Sequence, residues 1–330
     1  MEELNPKETI LVTGATGLVG RQIIQLLDPT ATKVIGLARN PPENSNDGIH
    51  WIKCDILDVV ELEKSLKGVN RVYHTAGLVS FDPAMKSNVF KVNVEGTANI
   101  VNACIKNGVD KLLHVSSVAA IGEAKSAKNL IHETLPWNAM GASDYGKSKY
   151  LGEIEVWRGL AEGLKAVVIN PSIVIGPGDW NNGSTAMFKS VYDGFPWYTE
   201  GAHGFVDVVD VAKAAIALMD SNIVGERFII NGANISYKVL FDLIADYFGK
   251  PRPNKKVTPM LAEFVWRAKY IKGKITGKSS ILNKNTARTA LRICEYDASK
   301  FMGAIPGFSF IPIEQTIKRT CRQLKEKYGL

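Results

Sequence analysis

The first half of the chain alternates between two hydrophobic patterns. Short apolar runs at 9–12, 33–38, 50–53, 71–75, 111–115 and 166–169 read as strands. Between them lie segments with helical periodicity, including 60–67, 85–106 and 145–161. Runs such as Leu112-Leu113-His114-Val115 carry no polar alternation, as expected of strands buried on both faces. This order predicts an α/β fold, a doubly wound parallel sheet with helices on both sides. After Gly176-Pro177-Gly178 the texture changes to a polar loop over 179–185 and a short helix over 187–194. Phe205-Val206-Asp207-Val208-Val209-Asp210-Val211-Ala212 returns to strand and then helix, and Arg227-Phe228-Ile229-Ile230-Asn231 is a further strand. From Ser236 onward the chain is mostly helical, with Gly273, Gly277, Ser279 and Ser280 marking a loose connection. Two domains are expected. One spans 1–178 and regains 205–235; the other, smaller, discontinuous and mainly helical, comprises 179–204 and 236–330. The smaller one should pack on the carboxyl edge of the sheet, where ligands bind in such folds.

Composition narrows the setting. The 330 residues are 45% hydrophobic, enough for one large or two modest cores. No apolar run reaches the length of about 18 residues that a membrane-spanning helix needs. Met1-Glu2-Glu3-Leu4-Asn5-Pro6 is acidic and polar, unlike a secretory signal. Cys54, Cys104, Cys294 and Cys321 are far apart and show neither metal-ligand spacing nor a disulfide framework. A reducing cytoplasmic setting and no metal are expected. The net charge of +7 is uneven, with 17 Lys and Arg against 5 Asp and Glu from residue 251 onward. A solvated basic face is the ordinary reading, and no nucleic-acid partner is expected. Within that region Leu261, Phe264, Val265 and Ile271 can share a helix face, with Arg267 and Lys269 away from its centre. Such a helix reads as a lid over a substrate pocket, or as a face resting on an anionic membrane surface.

The chemistry starts at Ile10-Leu11-Val12-Thr13-Gly14-Ala15-Thr16-Gly17-Leu18-Val19-Gly20. A strand breaks here into three spaced glycines, and a helical pattern follows. Gly14 permits a tight turn, Gly17 lets the main chain approach phosphates, and Gly20 lets helix and strand pack closely. The amides at the helix start then face an anion, as a dinucleotide pyrophosphate requires. Downstream, Ser116-Ser117 ends a buried strand, and Tyr145 and Lys149 stand four apart on one helix face. A lysine beside a phenol should lower its pKa, so that it exchanges protons near neutral pH. A serine hydroxyl opposite can hydrogen-bond the same substrate oxygen.

These features resemble the extended short-chain dehydrogenase/reductases, a Rossmann-type family of NAD(P)-dependent epimerases and dehydratases. The carriers, in family order, are the glycine motif, Cys54-Asp55-Ile56, His74-Thr75-Ala76-Gly77, Asn93-Val94-Glu95-Gly96-Thr97 and Val115-Ser116-Ser117. Tyr145-Gly146-Lys147-Ser148-Lys149, Pro171-Ser172-Ile173-Val174-Ile175-Gly176-Pro177-Gly178 and the 205–212 motif complete the series. The resemblance implies Tyr145 as general acid/base, Lys149 as its tuner and as holder of the nicotinamide ribose, and Ser117 as the substrate-polarising serine. It implies cofactor contacts from Gly14, Thr16, Gly17, Leu18, Val19, Asp55, Ile56, Thr75, Ala76, Gly77, Asn93, Pro171 and Ile173. Helices 85–106 and 145–161 correspond to those that pair across a two-fold axis in relatives, implying a homodimer.

Three details point within the family. Arg39 ends the second strand, where NAD enzymes usually place an acid; an arginine suits the 2′-phosphate of NADP. Ile173 stands where the nucleotide-sugar branch usually carries an asparagine. Val118-Ala119 follows Ser117, where sugar dehydratases place Asp-Glu. The overall look is closest to the dihydroflavonol 4-reductase and 3β-hydroxysteroid dehydrogenase branch. One departure is Asn170, where an arginine is common. Val79, Phe81, Trp180, Phe195, Trp197 and Tyr198 fall in segments expected to surround the substrate, which suits a small ketone, aldehyde or alcohol with rings or apolar bulk. The expected activity is NADP-dependent carbonyl reduction. The alternatives are a nucleotide-sugar epimerase of the same family and a non-catalytic dinucleotide-binding sensor.

Overall fold

A computed structural model of the chain describes residues 8–43, 48–122, 130–138, 142–258 and 290–330. In chain order its first strands are β1 (Glu8–Thr13), β2 (Thr32–Ala38), β3 (His50–Lys53), β4 (Arg71–His74), β5 (Lys111–Val115) and β6 (Ala166–Pro171). They are followed by β7 (Ile173–Ile175), β8 (Trp197–Tyr198), β9 (Ala202–Asp207) and β10 (Glu226–Ile230). Seven of these form one all-parallel sheet in the order β10-β6-β5-β4-β1-β2-β3. The winding direction reverses between β1 and β4. The crevice outside their carboxyl ends is therefore where a ligand fits this topology. The expected doubly wound α/β sheet is present.

The helices in order are α1 (Leu18–Leu26), α2 (Val59–Ser65), α3 (Lys86–Phe90), α4 (Gly96–Asn107), α5 (Asp144–Ala161), α6 (Thr185–Tyr192), α7 (Val208–Asp220) and α8 (Tyr237–Phe248). On one face of the sheet Val12, Tyr73, Leu113 and Ile169 pack with Ile23 of α1 and Val211 of α7. On the other, Leu11, Val72, Leu112 and Val168 pack with Leu62, Ile100 and Val156 of α2, α4 and α5. Successive strand residues point to opposite faces, and both faces are covered. That is why these strands carry no polar alternation.

A third core lies beyond the sheet edge. There α6, α8 and the C-terminal helix Ile313–Tyr328 bury Phe188, Leu240, Ile244, Ile317 and Leu324 against Ile175 and Phe205. The chain between these helices also revisits the main sheet: Phe301 is fully buried in the first core, with Phe308 and Phe310 packed against it. The predicted amphipathic segment 259–272 and the loose connection over 273–280 lie outside the described residues. Among the described residues no helix is long and apolar enough to cross a membrane.

The segment read as one helix over 85–106 is instead α3, a π-helical turn Lys91–Glu95, and α4. The widened turn carries Asn93, whose side chain bonds elsewhere, and the backbone of α5 comes close at Gly152, where a Cβ would crowd the Asn93 carbonyl. Such π turns often mark functional sites.

Candidate active site

The glycine loop follows β1. Gly14 has φ +63°, the left-handed region that side chains disfavour, and a Cβ there would lie 2.7 Å from the Ala76 nitrogen. Gly20 is packed as tightly: a Cβ would run into the Gly14 carbonyl and approach Thr75 Oγ1 to 2.7 Å. Glycine at both positions lets the loop lie against the β4 loop. Gly17 is the N-cap of α1 and provides no side-chain cap, while Thr16 and Gly17 are exposed. The first amides of α1, at Leu18 and Val19, are thus left open at the positive end of the helix dipole. This cradle fits the pyrophosphate of a dinucleotide.

A chain of hydrogen bonds pins the β4 loop beside it. The Thr97 hydroxyl donates to the Asn93 carbonyl (2.8 Å), so it accepts from His74 Nε2 (3.0 Å). The ring is then the Nε2–H tautomer, and its Nδ1 accepts from the Thr13 hydroxyl (2.8 Å). Thr13 Oγ1 in turn accepts from the Ala76 amide (3.2 Å). Burial, aided by the Lys149 charge, pushes His74 down to about 3, so the ring stays neutral. Thr75 Oγ1 donates to the Thr13 carbonyl (2.7 Å). The Asn93 side chain is fully engaged by its neighbours. Its Oδ1 accepts from the Leu78 amide (2.7 Å), and its Nδ2 donates to the Leu78 carbonyl (3.0 Å) and to Ser148 Oγ (2.9 Å). It braces the Ala76-Gly77-Leu78 loop rather than offering a free amide to a cofactor.

Arg39 is exposed just beyond the carboxyl end of β2 and makes no ion pair among the described residues. Asp55 follows β3 and accepts from the Leu57 amide (3.0 Å), while buried Ile56 packs where Gly96 lacks a Cβ. Buried Pro171 and half-buried Ile173 flank Ser172 where β6 gives way to β7. All these positions share the carboxyl edge of the sheet.

Ser117, Tyr145 and Lys149 meet at the end of β5. Ser143 caps α5 by accepting from the Gly146 amide (3.0 Å). Gly146 lets α5 lie against the turn after Ser117, since a Cβ there would be 2.8 Å from the Ala119 carbonyl. The Ser117 hydroxyl oxygen accepts from the Ala119 amide (3.2 Å), and the hydroxyl lies close enough to the Tyr145 phenol to act on its proton. The buried Lys149 ammonium donates to the Val115 carbonyl (2.8 Å). The expected lowering of the phenol by the lysine is not what the structure has. Burial raises the Tyr145 pKa, and the opposing influence comes from the Ser117 hydroxyl. Lys149 itself is pushed down to about 8 by burial, opposed by Glu153.

Behind these residues lies a polar cluster that sequence reading missed. Glu153, fully buried one turn after Lys149, accepts from Asn170 Nδ2 (2.5 Å) and from Arg227 Nη1 (3.2 Å). The Asn170 amide also donates to the Ser117 carbonyl (3.0 Å), which accounts for the residue that departs from the family pattern. The spacing of Tyr145, Lys149 and Glu153, four and four on one helix, was the available signal.

The expected substrate residues divide. Phe81 stands edge-on to Tyr145 with ring centroids 5.6 Å apart, and Val79 beside it is 60% exposed. Trp180 instead fills the third core, against Tyr192, Phe248 and Tyr328. It is a buried packing residue, because helices α6 and α8 and the C-terminal helix supply the rings that enclose it. Trp197 and Tyr198 are half-buried on β8, each ring covered by a lysine: Lys255 at 5.4 Å and Lys238 at 5.0 Å. Phe195 is exposed.

Known proteins share this layout. The chain is 29% identical over 262 residues to sterol demethylase protein B of Methylococcus capsulatus, a match covering 77% of this chain and 79% of that one. It is 27% identical over 305 residues to a dihydroflavonol 4-reductase-like protein of Synechocystis, covering 89% and 88%. The crystal structure of gox2253 superposes with a TM-score of 0.83 at 26% identity, over 98% of this chain and 99% of that one. The family model described as NAD dependent epimerase/dehydratase matches residues 10–231, the span that runs from the glycine cradle through Tyr145 and Lys149 to the last sheet strand. The chain therefore belongs to the NAD dependent epimerase/dehydratase family.

Proposed function

We propose that the protein is an NADP-dependent reductase of a small, apolar or ring-bearing carbonyl compound, working equally on the corresponding alcohol in reverse. The observation that carries this reading is the gathering of Ser117, Tyr145 and buried Lys149 at the end of β5, at the same sheet edge as the open helix start. When bound, the dinucleotide supplies or accepts the hydride at the carbonyl carbon. Tyr145 delivers the proton to the carbonyl oxygen, and Ser117 donates a hydrogen bond to that oxygen. Lys149 places a cation on the same helix face. Val79 and Phe81 present apolar surface next to the phenol. Relatives named for sterol and dihydroflavonol chemistry agree with a ring-bearing substrate. The test is NADPH oxidation across a panel of carbonyl compounds. Turnover of none, together with tight dinucleotide binding, would instead support a non-catalytic sensor.

The second enzymatic reading is a nucleotide-sugar epimerase. Ile173 has no polar group for a diphosphate, which favours the reductase. Calorimetric titration with UDP- and GDP-sugars separates the two, and no tight binding is expected.

Cofactor choice follows from Arg39. Its exposed guanidinium suits a 2′-phosphate, and a charge-assisted pair contributes about 1.5–3 kcal/mol. Arg39→Asp should weaken NADP binding at least about tenfold and NAD binding less. Equal wild-type affinity for the two dinucleotides would contradict the assignment.

Assembly is expected to be a homodimer through α4 and α5, where Leu151 and Ile154 of α5 are exposed apolar residues. Light scattering at micromolar concentration should give twice the chain mass; a monomer mass refutes the dimer.

A further inference from the structure

We propose that buried Glu153 is a positioning residue of this site: it acts on Ser117 through Asn170 and on Lys149 through its charge, with Arg227 as its fixed counter-cation. The proposal rests on the reductase reading for the roles of Ser117 and Lys149.

Every part of this unit is held from several sides. One Glu153 oxygen takes an N–H from Asn170, and the other takes one from Arg227. The second N–H of the Asn170 amide goes to the Ser117 carbonyl at 3.0 Å. Arg227 reaches across from β10 and donates through Nε to the Glu133 carbonyl (3.1 Å), with Nη2 on the same oxygen. Glu133 Oε1 accepts from the Ile229 amide (2.8 Å), which locks its segment to β10. The catalytic serine's main chain is thus tied to an ion pair whose cation sits on the last sheet strand.

The charge side is equally specific. Lys149 lies within electrostatic reach of His74 on β4, His114 on β5 and Glu153 on its own helix, and it is bonded to the Val115 carbonyl. Burial keeps both histidines neutral, so Glu153 is the anion that supports the Lys149 charge. Burial raises the Glu153 carboxyl, and Arg227 and Asn170 act to hold it ionised. A buried ion pair is weak as a source of stability, because apolar residues of the same volume often do as well. Retaining one beside Ser117 and Lys149 is accounted for by what it does to those two groups.

The test is lysine Cε NMR titration of the full-length protein, with the Lys149 resonance assigned by Lys149→Arg. Glu153→Gln should lower the Lys149 proton affinity about tenfold. Arg227→Lys, which keeps the cation, should leave it within about twofold. Asn170→Leu should cut kcat about tenfold with KM little changed, because the Ser117 main chain loses its hold. Thermal unfolding monitors folding throughout. If Glu153→Gln does not fold, Glu153→Gln/Arg227→Met removes both charges together and should still lower the Lys149 proton affinity, by less than about tenfold because the lost Arg227 cation offsets part of the effect. An unmoved Lys149 titration in either folded variant overturns the charge role, and an unmoved kcat in Asn170→Leu overturns the tie to Ser117. If the wild type turns over no carbonyl compound, the reductase reading falls, while the NMR titration still decides the action of Glu153 on Lys149.

Discussion

Tyr145→Phe is expected to lower turnover of a verified carbonyl substrate by about 10² or more, with dinucleotide affinity near that of the unaltered protein. The substitution removes one oxygen and keeps the ring that packs edge-on against Phe81. Without the phenol, the oxygen that gains negative charge as hydride arrives has only Ser117 as a donor. The pH dependence carries a sign. Burial raises the phenol, with the Ser117 hydroxyl pulling the other way, so Tyr145 stays protonated through the neutral range. Reduction consumes that proton and should be flat around neutral pH. Oxidation needs the phenolate and should rise as pH rises. Steady-state rates in both directions, set beside a binding titration, check all three statements. Wild-type turnover in the variant would remove Tyr145 from the mechanism.

Gly20→Ala is expected to weaken dinucleotide binding by about tenfold to a hundredfold. The new methyl group meets two neighbours that cannot yield. One is the Gly14 carbonyl, held in a loop at φ +63° and backed by the Ala76 main chain. The other is Thr75 Oγ1, fixed by its bond to the Thr13 carbonyl. Helix α1 must therefore withdraw from β1, and its open first turn moves with it. The accompanying stability loss should be about 1–3 kcal/mol, the usual cost of overpacking. Calorimetry with NADP and a thermal melt measure the two effects separately. An affinity within twofold of wild type would show that the cradle tolerates the shift, and the close approach at Gly20 would lose its assigned role.

Much of this protein is determined locally and is therefore legible in the chain itself. Strands buried on both faces carry near-continuous apolar runs without alternation, so Leu112, Leu113 and Val115 and the run 166–169 announce a covered parallel sheet. A turn at positive φ followed by a helix packed hard on a strand requires glycine at 14 and 20, because no other residue fits. The four-residue spacing of Tyr145 and Lys149 places both on one helix face, whatever the rest of the fold does. Tertiary structure decided what those groups meet. An aromatic side chain packs equally well in a core or along a pocket wall, and only the tertiary packing of Tyr192, Phe248 and Tyr328 around Trp180 sends it to the core while Phe81 stands at the phenol. The direction of the Tyr145 pKa depends on how much water the fold removes, and burial outweighs the neighbouring hydroxyl. The asparagine at 93 looks like a ligand contact until the π turn carries its amide onto Leu78. Asn170, Glu153 and Arg227 come from a strand, a helix and another strand, separated by up to 74 residues. Their meeting behind Ser117 follows from the pairing of β6 with β10 and the seating of α5 on β6, long-range contacts that no local pattern encodes.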